Sequence, residues 1–449
     1  MEITLAAVGD CIITRSLRES RDPGLQALRD RIQAADAGFA NLEQLPHNFE
    51  GPPANEAGGA WLCCDPALVD DLRWLGLRLF ACAHNHSHDW GRHGLLAALR
   101  HMDDMGVAYA GVGLNLAAAR GPRYIETGAG RVALIAAASS FLTEAPAGDP
   151  HGTVSGRPGL NPLRVRRTLQ VTADDLAQLR DLADRLGVTA RQNQAVRDGW
   201  AKAESEGTLT LFGQRFVAVD RAEAVGERTE PDPRDMEGNL AAIREAVRQA
   251  DFVVASLHAH EAATAEREQP AEFIPTFARA CVDAGAHAVI GHGPHVLRGV
   301  EYYKGRPILY SLGNFVFQSE TMQAQPADYF QRFGLPPSAG PADLFDTRSH
   351  HDQRGFAADP HYWESVVATL RLRSDGPCEV EAVPVTLGHG RTRAQRGSPV
   401  VASPADGECI MARLDRLSRP LGAAVRPAGA GAWRIEPGGV SAGATATGA

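Results

Sequence analysis

The stretch that decides the fold is LRLFACAHNHSHD, residues 77–89. Leu77 to Ala83 reads as a buried strand, bounded by helical patterns on either side. The chain then runs straight into His84, Asn85, His86, His88 and Asp89. The same arrangement recurs four times. Asp10 follows ITLAAVG, and Asn41 and Glu43 follow GFA. His258, His260 and Glu261 follow FVVASL, and His292 and His295 follow HAVIG. In α/β sheets, ligand sites gather beyond the carboxyl ends of strands. Five such clusters converging there would surround one point with carboxylate, amide and imidazole groups. That mixed oxygen and nitrogen set suits one or two divalent transition metal ions, Zn, Mn or Fe. Two ions about 3.5–4 Å apart could share a carboxylate, activate water and clamp a transferring group.

Working outward, helical patterns alternate with these strands. Residues 66–76 carry Pro66 at the start and Gly76 just past the end, the asymmetry of a helix. Further helices are expected at Gly94–Met105, Asn239–Ala250 and Glu272–Ala284. Further strands are expected at Ile3–Val8, Arg131–Ala138, Phe252–Leu257, Ala288–Ile290 and Pro307–Leu312, the last continuing into Asn314 and Phe315. The alternation implies an α/β layered fold. Residues 144–235 interrupt it and read as an insertion or lid. They hold a capping box at Thr172 and Asp175, a leucine stripe ended by Gly187, and a hairpin over 208–219. Residues 319–361 read as a long surface loop. Late strands are expected within 366–385. Residues 391–449 read as a C-terminal extension to a main domain of 1–390, with a Gly/Ala/Thr-rich tail from Gly439 that is expected to be disordered.

Composition excludes several classes. The 449 residues carry 45 Lys+Arg against 54 Asp+Glu, a net charge of −9. That argues against a nucleic-acid partner held by a global basic field. No apolar run approaches the roughly 18 residues of a membrane span, so no membrane partner is expected. The N-terminus, MEITLAAVGD, lacks the positive region and the apolar length of a signal peptide. The seven cysteines form no CxxC pair. Both features lead us to expect a cytoplasmic protein without disulfides. The oligomeric state is left open.

Taken in order, GDCIITRSL, FANLEQ, CAHNHSHDWGRHGL, SLHAHE and DAGAHAVIGHGPHVLRGVEYYKGRPILYSLGNFVF resemble the bacterial capsule synthesis (CapA, poly-γ-glutamate synthesis) family. That family sits within the calcineurin-like metallophosphoesterase superfamily. The resemblance covers about residues 1–140 and 250–318, with a weaker match at GRPGLNPLR, 156–164. It implies a metallophosphoesterase-like sandwich. It also implies Asp10, Glu43, Asn85, His258, His292 and His295 as metal ligands. His86 would be the proton donor to the leaving group, oriented by Asp89. The sequence departs from the superfamily in three places. Asp10-Cys11-Ile12 lacks the imidazole of Asp-x-His, the bridging position is Glu43 rather than aspartate, and GHGPH has one extra residue between its histidines.

Several residues admit two readings. Asp10 could cap a turn, and Asn41 could be a local cap. His84 and His88 fit support or surface positions better than ligand positions. His260 is expected near the site as a substrate-binding group, with a direct ligand role left open, and Asn314 either positions substrate or builds its turn. Arg157, with Arg164, Arg166 and Arg167, is either a solvated face or a clamp for an anion. Gly111-Val112-Gly113 lacks the rest of a dinucleotide fingerprint and reads as a plain turn. No Gly-x-Ser-x-Gly supports a serine hydrolase. The expected function is a metal-dependent hydrolase of a small anionic ester or amide. The alternative is a non-catalytic component of poly-γ-glutamate or capsule assembly.

Overall fold

The first strand, Glu2–Ile12, is buried along almost its whole length. Its side chains divide by alternation. Ile3, Leu5 and Ala7 enter one apolar core, while Ala6 and Val8 enter another. A strand covered on both faces needs a continuous apolar run rather than strict alternation. The computed structural model describes residues 1–438. The chain forms two compact units: Met1–Leu163 with Arg234–Pro270 and the chain from Ile274 onward, and Arg164–Pro233 with Ala271–Phe273.

The first unit is built on two sheets. The larger runs in the order Ala423–Gly429, Ala432–Pro437, Glu379–Thr386, Glu364–Arg373, Glu2–Ile12, Ala37–Leu42, Leu79–Ala81, Ala108–Ala110. The smaller runs Val300–Tyr303, Arg306–Leu309, Ala288–His292, Phe252–His258, Gly130–Ala138, Arg123–Thr127. The inner core joins Ile3, Leu5, Phe39 and Leu79 of the first sheet with Leu134, Phe252, Val254 and Ile290 of the second. On the outer face of the larger sheet, the helices Pro23–Gln33, Ala67–Trp74 and Gly91–Asp104 bury Leu28, Leu72 and Leu95 against Ala6, Ala40 and Phe80. This is the mixed α/β sandwich of the metallophosphoesterase-like fold.

Parallel register sets the site. Asp10 lies directly opposite Asn41 on one side and Asn314 on the other. In the second sheet His258 lies opposite His292. The pairing of Glu2–Ile12 is irregular at Asp10 on both sides. A Cβ on Gly9 would stand 1.8 Å from the Gly313 carbonyl oxygen, so only glycine allows that approach.

Four expectations need correction. The run Pro307–Phe315 is not one strand. Arg306–Leu309 belongs to the smaller sheet, whereas Asn314–Phe317 pairs with Glu2–Ile12 in the larger one. Gly313, at φ 71°, marks the turn between them. The insertion is shorter than 144–235, because Gly159–Leu160 pairs with Val112–Gly113 and residues up to Leu163 pack in the first unit. Residues 319–361 are not a featureless loop. They form the helices Ala327–Arg332 and Pro341–Ser349, bury Tyr329, Leu344 and Phe345, and are pinned where Arg396 bridges Glu320 and Asp352. Residues 391–438 are no appendage. Strands Ala423–Gly429 and Ala432–Pro437 extend the larger sheet, and the helix Pro404–Ser418 packs Ile410, Met411 and Leu414 into the inner core. The expectation for the tail from Gly439 falls outside the described residues.

The second unit is a four-stranded sheet in the order Thr208–Leu211, Gln214–Val219, Val165–Thr172, Gly226–Pro231, with helices Ala173–Arg185 and Val188–Arg197. Its buried core is small, comprising Leu176, Ala183, Leu209 and Leu211. The capping box of Thr172 and Asp175 and the hairpin over 208–219 are both present. All seven cysteines are free thiols. Among the described residues, no helix is long and apolar enough to cross a membrane.

Candidate metal centre

The strand register gathers the clusters into one buried site. Asp10, Glu43 and His258 have no solvent exposure, and His292 and His295 almost none. Asn41 holds Asp10 in place, its Nδ2 donating to Oδ1 at 2.8 Å, and the backbone N–H of Gly293 donates to Oδ2 at 3.2 Å. Gly293 takes φ +112°, with His258 and Ala259 at close contact, so a side chain there would be strained and crowded. His295 adopts φ 63°, a left-handed conformation that costs a non-glycine residue about 1–3 kcal/mol. Asn314 holds it there. Its Oδ1 meets His295 Nδ1 at 2.9 Å, and its Nδ2 donates to the carbonyls of His295 and Tyr362. The structure thus turns Asn314 toward His295 rather than toward a substrate, because both ends of its amide are spent within the protein.

The imidazoles crowd one another. His258 Nδ1 stands 3.0 Å from His292 Nδ1, and His258 Nε2 stands 3.0 Å from both His260 Nε2 and Asn85 Oδ1. Glu43 Oε1 faces His295 Nε2 at 3.6 Å and His258 Nε2 at 3.8 Å, too far for hydrogen bonds. Both Glu43 oxygens are buried with no hydrogen-bond partner among the described residues. An unpaired buried carboxylate is expensive. Three groups, Asp10–His258–His292, Glu43–His258–His260 and Asp10–Glu43–His295, each offer ligand atoms within 4.8 Å of one another. Ligand atoms bonded at about 2.0–2.2 Å to one ion sit roughly 3–3.5 Å apart. The orphaned carboxylate and the convergent lone pairs therefore fit a divalent cation. His260 is itself a member of one of these groups, the closer of the two roles open to it from sequence.

The electrostatics of the cluster are set by burial and by the close packing of its ionisable groups. Burial works against the charge on Asp10, but hydrogen bonding and charge from His295, together with His292 and Asn41, hold its pKa down to about 2. Burial, reinforced by the neighbouring Asp10 charge, pushes Glu43 well above the usual carboxylate range. Burial lowers His292 to about 4 and drives His258 and His260 well below the ordinary imidazole value. Neutral imidazoles are the metal-ligating form.

His86 stands apart from the three groups. Its Nδ1 meets Asp89 Oδ2 at 2.6 Å, and Asp89 is fixed by the backbone N–H groups of Leu62 at 2.8 Å and Gly58 at 3.2 Å. Asn85 Nδ2 donates to the Gly58 carbonyl, which aims Oδ1 inward at His258. Arg157 is exposed, and its Nε donates to the Pro146 carbonyl at 3.0 Å. No contact links it to the cluster among the described residues. Its short pairing with Gly148 turns it to that backbone. His84 is not a surface residue. It is fully buried beside His258, with ring centroids 6.0 Å apart. His88 is largely buried, 3.8 Å from the exposed Glu144.

Sequence reasoning missed two supports. Ser256 Oγ meets His292 Nε2 at 2.5 Å, and it lies two residues before His258 on the same strand face, a period-two signal that was legible. Arg298 is buried and donates to the carbonyls of Ala259, Glu261 and Arg267, shaping the loop that carries His260. Nothing local marked it.

The sandwich is of the metallophosphoesterase-like fold, and its buried His/Asp/Glu cluster could hold a metal ion. The chain belongs to the family described as bacterial capsule synthesis protein PGA_cap, whose model matches residues 4–319. It is 36% identical over 429 residues to uncharacterized protein y4sH of Sinorhizobium fredii, covering 93% of this chain and 90% of that protein. It is 33% identical over 147 residues to PGA biosynthesis protein CapA of Bacillus subtilis, covering 30% of this chain and 38% of that one. It is 46% identical over 68 residues to capsule biosynthesis protein CapA of Bacillus anthracis, covering 15% and 16%.

Proposed function

We propose that the protein is a metal-dependent hydrolase of a small anionic ester or amide, working in capsule or poly-γ-glutamate metabolism. The observation that carries this reading is the buried Glu43 carboxylate without a partner, set among convergent histidines. Asp10, Glu43, Asn85, His258, His260, His292 and His295 would hold one or two ions of Zn, Mn or Fe. A bound ion supplies Lewis acidity and activates water.

The chain's own residues supply the rest. His86 is oriented by Asp89, so the Nδ1 proton is shared with the carboxylate and Nε2 is the atom that carries a proton to the leaving group. Asp89, held by two backbone N–H groups, cannot swing away. Asn314 keeps His295 in its strained conformation. Burial of the cluster excludes bulk water and strengthens each of these interactions.

The second reading, a non-catalytic role in polymer assembly, is favoured by the names of the Bacillus relatives, which speak of biosynthesis. Elemental analysis of chelator-free protein separates the two when joined to a panel of phosphomonoester, phosphodiester, carboxyl ester and γ-glutamyl amide. The hydrolase reading expects about one to two equivalents of metal and metal-dependent turnover of one class. Bound metal with no turnover on any class would favour assembly.

A further inference from the structure

Beside the cluster, Arg267 and residues drawn from 319–362 line an open cavity of about 510 Å³. Its wall nearest the cluster is Phe356. That ring packs edge-on against His295 at 5.5 Å between centroids and against Tyr362 at 4.6 Å. Three guanidiniums line the cavity: Arg267, Arg348 and Arg354. Among the described residues none of them pairs with a carboxylate. Arg267 lies over the Tyr362 ring at 5.9 Å and Arg348 over the Phe356 ring at 5.8 Å. Arg348 also donates to the Tyr329 hydroxyl, and Arg354 donates to the carbonyls of Arg348 and Thr347.

The two acids on the same wall are occupied. Glu320 is held by Arg396 and approached by Arg393, and Asp359 accepts from the His361 backbone and faces its ring at 3.0 Å. The cavity therefore presents unneutralised positive charge with aromatic surface between. A guanidinium with free N–H groups recognises carboxylate or phosphate oxygens.

We propose that this cavity is the binding subsite for the part of the substrate that carries several oxyanions. The reacting bond lies at the cluster, and the charged remainder reaches past Phe356 into the three arginines. Carboxylates and phosphates share this chemistry. The proposal rests on the hydrolase reading only for the position of the reacting bond. Apart from Arg267 and Ser319, the lining lies beyond the residues that match the family model, 4–319.

The test is calorimetric titration of the full chain, metal-loaded and chelator-treated, with tri-γ-glutamate, inorganic pyrophosphate and uncharged tri-γ-glutamine. We expect one anionic probe to bind, more weakly as salt rises, and the uncharged probe not to bind. The tighter anion identifies a polycarboxylate or a phosphate substrate. The double variant Arg267→Gln/Arg354→Gln should weaken that binding tenfold or more with metal content unchanged. The Lys double variant should restore part of it, which a folding defect would not allow. Equal affinity in wild type and Gln variant, or no binding of either anion, overturns the proposal. Metal content and turnover of the ester panel by the wild type judge the cluster separately. Arginine-dependent anion binding without turnover would sink the hydrolase reading and leave the subsite standing.

Discussion

Replacing Glu43 with glutamine should have opposite consequences with and without metal. In the metal-free protein the Glu43 carboxyl is wholly buried, its oxygens accept from no donor among the described residues, and burial, with the charge and hydrogen bonding of the adjacent Asp10, pushes it well above the usual carboxylate range. That shift favours the uncharged carboxyl, and glutamine is its neutral isostere. Glu43→Gln should therefore change the stability of chelator-treated protein by less than about 1 kcal/mol, within the range of a volume-conserving swap. With metal the balance reverses. An ion at 100 times its Kd stabilises the folded state by about 2.7 kcal/mol. If losing this carboxylate weakens binding about a hundredfold, the same ion concentration yields only about 0.4 kcal/mol. The assay is urea denaturation of both proteins at pH 7.5, each with chelator and with added Zn or Mn. The expected pattern is two coincident chelated curves and two separated metal-loaded ones. A chelated Glu43→Gln several kcal/mol weaker than chelated wild type would refute the reasoning, because Glu43 would then have a protein partner. So would a wild type indifferent to chelator.

Three further outcomes follow from the geometry. Gly9→Ala places a methyl 1.8 Å from the Gly313 carbonyl oxygen, and the close atoms are backbone that cannot swing aside, so it should cost about 1–3 kcal/mol or more and lower metal content by shifting Asp10; thermal melting and elemental analysis check both. His86→Ala should lower kcat about 10²–10⁴-fold while metal stays bound, and a loss of metal equal to that of His258→Ala would show that His86 is a ligand instead. Stability should fall as pH drops from about 6.5, the ordinary imidazole value, because burial lowers His287 in the folded protein to about 4. The sign follows from its neutral role: His287 Nδ1 accepts the Val253 N–H at 3.1 Å, so the unfolded chain binds the proton first and the contribution, full above 6.5, is lost as pH falls through 4. Denaturation midpoints across that range should fall less steeply in His287→Gln, the other buried histidines keeping the rest of the slope, and an unchanged slope would count against it.

The residues of the cluster were legible because strands announce themselves by apolar runs and because ligands sit where those runs end. Asp10, Glu43, Asn85, His258, His292 and His295 were all named from that pattern and from the order of the motifs, and the structure gathers them. Roles were less legible than positions. His260 was left between ligand and substrate contact, and Asn314 between substrate contact and turn builder; in the structure His260 lies within one of the candidate metal groups and Asn314 braces His295. A side chain's partner depends on residues distant in sequence, and Asn314 meets His295 only because its strand leaves the smaller sheet and pairs with Glu2–Ile12.

The sequence by itself determined the α/β class, the polar clusters at the strand ends, and the capped helix and hairpin inside the insertion. Those rest on local periodicity and local hydrogen bonds, which neighbouring residues settle. Only the tertiary structure decided that 319–361 is a packed wall and that 391–438 completes the larger sheet. Their burial comes from pairing with strands and side chains far along the chain, such as Arg396 with Glu320 and Ile435 with Val380. Polar, aperiodic sequence carries no sign of such partners. The same holds for Glu43. Its type was visible, but its isolation from every hydrogen-bond donor, the feature that points to a cation, exists only once both sheets close around it.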